Sequence, residues 1–273
     1  MIIKIIFLII FFAIMLSVGI YARKHASNVG DFVLGGRSVG PWLTAFAYGT
    51  SYFSAVVFVG YAGQFGWKYG LSSTWIGLGN ALIGSLLAWG ILGRRTRVMT
   101  NHLRSATMPD FFGSRYHSKP LKIAASGIAF IFLIPYTASV YNGLSRLFGM
   151  AFDVPYSVCV WTMAILTGVY VIMGGYMATA INDFIQGIIM LVGIAAVIIA
   201  VLNNNGGFIN AINQLAQLES DVPVTLGQPG AFASFFGPDP MNLLGVVILT
   251  SLGTWGLPQM VHKFYAIDNE KSI

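Results

Sequence analysis

The stretch MATAINDFIQGIIMLVGIAAVIIAV, Met177–Val201, decides the fold. It is longer than the ~20 apolar residues a helix needs to cross a bilayer. One charge interrupts it, Asp183. A carboxylate at the centre of a membrane helix costs about 2.5–3.5 kcal/mol on insertion scales, and such residues usually mark an ion or substrate pathway. At 1.5 Å per residue, Asp183 lies roughly 9 Å into the stretch. An acid at the interface or at a helix end is therefore the competing reading. Gln186, one helical turn on, is placed to share a partner with it.

The rest of the chain agrees with a membrane setting. Of 273 residues, 56% are hydrophobic and only 9% are charged. A soluble domain carries about 25% charged residues, so this composition excludes one: there is too little charge to cover the apolar surface. The 32 glycines suit helices that pack closely in lipid. The net charge of +6 does not imply nucleic acid, because the basic residues fall between apolar stretches rather than along one face. The single cysteine, Cys159, forms no intrachain disulfide, matches no metal-ligand spacing and reads as a small buried side chain. The chain has no Ser/His/Asp constellation, no HExxH and no GxxxxGK[ST], so neither an enzyme nor an organic cofactor is expected. GLGNALIG, Gly77–Gly84, lies inside a membrane stretch, where glycine serves packing.

Seven spans are expected: Ile2–Tyr21, Pro41–Phe65, Leu71–Ile91, Ile123–Phe148, Tyr156–Met173, Met177–Val201 and Met241–Phe264. The first is long for a signal peptide and no small-x-small site follows it, so it reads as a retained helix. If the spans alternate, Arg23, Lys24, Arg37, Arg94, Arg95, Arg97, Arg104, Arg115, Lys119, Lys122, Lys263 and Lys271 share one side. Lys4 and Lys68 take the other, and Arg146 snorkels near the outer headgroups. Twelve against two puts the N-terminus outside and the C-terminus in the cytoplasm of a multi-pass plasma-membrane (inner-membrane) protein. The loop Leu202–Pro240 has no Lys or Arg; within it Gly207–Leu218 and Gly230–Phe236 are expected to form short helices.

Two spans contain breakers. The second holds Gly49-Thr50-Ser51 near its middle and Gly60 further on; the seventh holds Gly253, Gly256 and Pro258. Gly permits unwinding, and Pro removes a backbone donor. Backbone freed within lipid needs a partner, and a cation is one such partner. Breaks at matching positions of two repeats point to a transporter's binding site. If the second span opens a five-helix repeat, the sixth closes it and the seventh opens another. The Pro135 kink in the fourth span has no counterpart and reads as structural. The hydroxyls of Thr50, Ser51 and Ser54 either line a cavity or bond back to their own helix.

On these residues the chain resembles the sodium:solute symporter family. DFVLGGRSVGPW, Asp31–Trp42, is similar to the family's entry to its first core helix. GGYMATAINDFIQGIIMLVG, Gly174–Gly193, resembles its fifth, and GLPQMVHKFYAI, Gly256–Ile267, its sixth, with Leu257 in place of Gln. The resemblance implies an all-α integral membrane protein of two inverted five-helix repeats behind a leading helix. On that pattern 1–22 is the leading helix, 41–203 the first repeat, 204–240 an extracellular loop and 241–267 the first helix of the second repeat. The chain is thus expected to be an N-terminal portion of a longer transporter. The resemblance further implies sodium at the backbone of Thr50 and Phe53, completed by hydroxyls of an eighth core helix that this chain lacks, with Asp183 matching the acid that supports sodium coupling. Ser51, Tyr52 and Ser54 flank that break and are expected to line the substrate path. Tyr136, Thr254 and Pro258 match substrate-lining positions. Proline-type members carry Asp where this chain has Tyr52, and aromatic residues where it has Thr250 and Thr254.

The expected function is sodium-coupled symport of a small organic solute (an amino acid, pantothenate, a sugar or a carboxylate), with Na+ as coupling ion and membrane lipids as surroundings. The alternatives are a non-transporting fragment or sensing module that needs a partner chain, and, more remotely, a channel.

Overall fold

The computed structural model describes residues 2–25, 28–53 and 61–273. Its helices are α1 (Ile2–Ala22), α2 (Val29–Leu34), α3 (Pro41–Tyr52), α4 (Ala62–Tyr69), α5 (Thr74–Gly79), α6 (Arg94–His102), α7 (Met108–Arg115), α8 (Lys119–Phe152), α9 (Tyr156–Asn204), α10 (Phe208–Gln217), α11 (Pro240–Gly253) and α12 (Pro258–Ala266). Two π-helical stretches, Asn80–Leu87 and Trp89–Gly93, continue the chain from α5 to α6. β pairing among the described residues is limited to isolated bridges, Val39 with Ile267 and Glu219 with Pro229.

Among the described residues four helices are long and apolar enough to cross a membrane: Ile3–Ala22, Ala62–His102, Lys119–Phe152 and Tyr156–Asn204. Pro240–Gly256 with Pro258–Ala266 makes a fifth if the bent pair is one span. Seven spans were expected; one of the two not among these five is merged into α9, and the other is Pro41–Phe65. The 49 residues of α9 would extend roughly 74 Å as straight helix, against a hydrocarbon core of ~30 Å. Gly175 interrupts it with φ 56° and ψ −146°, a conformation that glycine alone adopts readily. The expected spans Tyr156–Met173 and Met177–Val201 therefore adjoin at that glycine. The expected span Pro41–Phe65 is described only in part; residues 54–60, with Ser54 and Gly60, lie outside the described residues.

The interruption in that span is not at Gly49-Thr50-Ser51. α3 continues through these residues, and the first non-helical torsions are at Phe53, φ −90° and ψ 56°. Glycine permits unwinding without forcing it, and the Thr50 hydroxyl donates to the Phe46 carbonyl at 2.9 Å, a bond made within a helix. The second interruption falls where it was expected. α11 gives way to a 3-10 turn, Thr254–Gly256; Leu257 is extended, φ −71° and ψ 125°; and Pro258, which has no N–H to continue the ladder, opens α12. α8 continues through Pro135.

The chain divides into two compact units. The first comprises Met1–Val59, Ile91–Gly187 and Pro258–Ile273. Its core is Val39, Ala47, Tyr176, Ala180 and Ala266, with Leu43 and Met177 packed against them. α12 lies on α3 and α6, and α7 on the start of α8. The C-terminal end of α12 is held by two arginines. Arg37 donates to the Tyr265 carbonyl at 3.3 Å and to Ser105 at 2.6 Å, and Arg97 to Ile267 at 2.8 Å and Asp268 at 3.0 Å. Cations there satisfy otherwise orphaned carbonyls and oppose the negative end of the helix dipole.

The second unit comprises Gly60–Gly90 and Ile188–Leu257. Tyr69, Ile76 and Leu243 form its core. Ser251 donates to the Asn80 side chain at 3.1 Å, and the Trp255 indole to the Ile83 carbonyl at 3.0 Å. The long loop folds back here: Trp75 donates to the Phe235 carbonyl at 2.9 Å, and a Cβ at Gly70 would overlap the Phe232 backbone. α10 is the first expected loop helix; of the second only the turn Ala231–Ala233 forms.

Large apolar side chains remain exposed along α1, α8 and α9, among them Phe7, Phe130, Ile131, Phe132 and Val192. Such surface is far beyond what a soluble monomer presents to water. Lipid is the solvent that fits it, and the protein is an all-α, multi-pass membrane protein.

Candidate functional site

The inward face of the second half of α9 reads Tyr176, Ala180, Asp183, Gly187, a spacing that repeats every helical turn and places the four on one side. Tyr176 and Ala180 enter the core of the first unit. Gly187 sets how near α3 comes. A Cβ there would stand 2.5 Å from Phe46 Cδ1 and 3.2 Å from Thr50 Cγ2, so only glycine admits this approach. Phe46 then meets Phe184 edge to face, with ring centroids 4.7 Å apart. One turn back from Gly187, the Thr50 hydroxyl lies beside the Asp183 carboxylate.

The third component comes from α12, whose Met260, Val261, Phe264, Tyr265 and Ala266 are all buried. Lys263 shares that burial at 6% exposure. Its Nζ stands 3.6 Å from Asp183 Oδ2 and 5.1 Å from the centroid of the Tyr176 ring. His262 packs edge-on against the same ring at 5.2 Å. The sequence had assigned Lys263 to a cytoplasmic edge. The structure adds that the residue is buried there, because the apolar neighbours of α12 carry it into the protein. Lys263 is the buried partner and Asp183 keeps 24% of its side chain exposed, so removing the carboxylate leaves a buried ammonium without its counter-charge.

Two buried polar groups nearby in the chain are unsatisfied. Asn182 is 1% exposed and neither its amide nitrogen nor its oxygen has a protein partner; the Tyr176 hydroxyl lacks one as well. Gln186 turns away from Asp183 and donates to Met15 Sδ at 3.2 Å.

The other expected residues are dispersed. Ser51 is half-buried on α3; Tyr52 is buried and packs on Tyr48 and Phe53, with centroids 6.1 Å and 5.3 Å away. Phe53 caps α3, its N–H donating to Gly49 at 2.8 Å. Tyr136 is on α8, where its carbonyl accepts from Ser139. Thr254 belongs to the second unit, where its hydroxyl donates to the Ser251 carbonyl at 3.0 Å; Pro258 opens α12 in the first. Among the expected residues, Tyr52 and Phe53 adjoin along α3, and the meeting of two different helices is Thr50 with Asp183. The structure adds Lys263 and Tyr176. The signal for Lys263 was a lone cation inside the apolar run MVHKFYAI.

Chemically, a carboxylate and a hydroxyl are hard oxygen donors of the kind that suit a small s-block cation.

A model of the sodium:solute symporter family matches residues 32–273. The chain is 34% identical to "Sodium/proline symporter 2" of Staphylococcus saprophyticus, over 97% of this chain and 50% of that protein. It is 32% identical to a "Sodium/proline symporter" of Staphylococcus aureus strain JH9, with the same coverage of 97% and 50%. The chain spans about half the length of these curated relatives. A family match over nearly the whole chain, on a helical membrane fold, has one reading: the chain belongs to the sodium:solute symporter family.

Proposed function

We propose that this chain carries the cation site of a sodium-coupled symporter of a small organic solute, with Asp183 and Thr50 as oxygen donors and the backbone at Phe53 beside them. The observation behind this reading is the packing of Thr50 on Asp183 at the Gly187 crossing, next to the point where α3 stops being helical. Inward sodium movement supplies the drive, since the membrane potential contributes about 2.3 kcal/mol per charge per 100 mV. In this reading 1–22 is the leading helix, 41–203 the first repeat, 204–240 the outer loop and 241–267 the first helix of the second repeat. Ser51, Tyr52, Ser54, Tyr136, Thr254 and Pro258 line the solute path, and alternating access rocks one repeat against the other.

The relatives' names favour proline or a similar amino acid as the first solute to try. Tyr52, Thr250 and Thr254 argue for screening pantothenate, sugars and monocarboxylates beside it.

The direct test is binding of 22Na+ to the purified chain in lipid nanodiscs, against a constant background of choline chloride. Saturable binding is expected, weakened at least tenfold by Asp183→Asn. Unsaturable binding, or an unchanged affinity in the variant, would sink the proposal. The same assay sorts solutes. Coupled ligands tighten each other reciprocally, so the transported class is the one that raises sodium affinity.

A further inference from the structure

The Asp183 carboxylate already faces a cation. Lys263 Nζ is 3.6 Å from it, and the pair is electrically neutral. Asp183 keeps 24% of its side chain exposed, and an ion bound at the same oxygen would stand within a few ångströms of the ammonium, where two like charges repel. One carboxylate therefore serves either the ammonium or the ion. The contact is also loose. A charge-assisted N–H···O bond closes to about 2.7–2.9 Å, and this one is longer. From the same position the ammonium also faces the Tyr176 ring, whose centroid lies 5.1 Å away. Aromatic faces hold desolvated ammonium groups favourably.

Resting on the sodium reading above, we propose that Lys263 is a tethered competitor for the cation position at Asp183. Without sodium the ammonium occupies the carboxylate. When sodium binds, Lys263 withdraws onto the Tyr176 face, and the ion takes its place with the Thr50 hydroxyl alongside. Lys263 thereby weakens sodium binding and signals occupancy to α12, the helix that begins at the Leu257–Pro258 break.

The test is 22Na+ binding to the chain in nanodiscs, comparing wild type with Lys263→Met, Lys263→Arg and Asp183→Asn. Deleting the competitor by Lys263→Met should tighten sodium binding at least tenfold. Lys263→Arg, whose guanidinium grips a carboxylate with two parallel bonds, should weaken it at least threefold, and it keeps the test decisive if the methionine variant fails to fold. Asp183→Asn should weaken binding at least tenfold in every background. Unchanged sodium affinity in the lysine variants, with Asp183→Asn still weakening binding at least tenfold, would overturn the tether and leave the sodium site standing. Binding that ignores Asp183 altogether would overturn both.

Discussion

At the residue scale the site depends on where a side chain is missing. Gly187 has no Cβ, and Phe46 and Thr50 occupy the space one would fill. Gly187→Ala therefore overpacks the crossing, and a destabilisation of about 1–3 kcal/mol is expected. It also pushes Thr50 off Asp183, so sodium affinity should fall severalfold. Gly168, on the same helix, has nothing within 4 Å of its own virtual Cβ. Gly168→Ala should be neutral or stabilising by up to ~1 kcal/mol, since alanine is the better helix former. Thermal unfolding of both variants in one detergent, with 22Na+ affinity beside it, separates packing from function; equal melting temperatures would contradict this account of the crossing. Residues of this kind were unevenly legible. Asp183 was conspicuous as the one charge inside Met177–Val201, and Thr50 because it adjoined a breaker. Lys263 sits close to a polar tail, where a cation reads as interfacial. Its burial follows from α12 packing on α3 and α6, a relation across more than 150 residues of chain that no local pattern encodes.

Elements were legible wherever length and apolarity alone define them. α1, α8 and the two halves of α9 fall close to their expected ranges because a bilayer imposes those lengths. Breaks were legible only when chemistry compels them. Pro258 lacks a donor and ended a helix; Gly49 merely allows an ending and did not produce one. The short α7 illustrates an element held by charge. Thr107 caps it, accepting from the Asp110 N–H at 3.3 Å, and Asp110 pairs with Lys122 at the start of α8. The Lys122 ammonium, helped by the Ala106 N–H, holds the Asp110 carboxyl below its ordinary range. The sign follows. A carboxyl whose folded value is depressed contributes stability at all pH above its unfolded value of ~4 and loses it as the pH falls through the folded one. Amide hydrogen exchange of Met108–Arg115, corrected for intrinsic rates, should stay flat from pH 8 to about 5 and rise below about 4. In Asp110→Asn the protection should be lower throughout and flat with pH. Acid-insensitive protection in the wild type would refute the charge tie.

At the scale of the whole molecule, lipid and net charge set the arrangement together. Apolar faces on α1, α8 and α9 fit helices that cross a membrane; the basic segments are what is expected to set which way. If the seven expected spans alternate, twelve Lys and Arg residues fall on one side, against Lys4 and Lys68 on the other. The loop Leu202–Pro240 has none, so it crosses to the outside most easily. The prediction is an outer face at Gln228 and a cytoplasmic one at Tyr116, both exposed. Cys159 is buried, which leaves a quiet background for thiol labelling. In a Cys159→Ser chain, Gln228→Cys should react with a membrane-impermeant maleimide on intact cells. Tyr116→Cys should react only after permeabilisation. The opposite pattern would invert the protein.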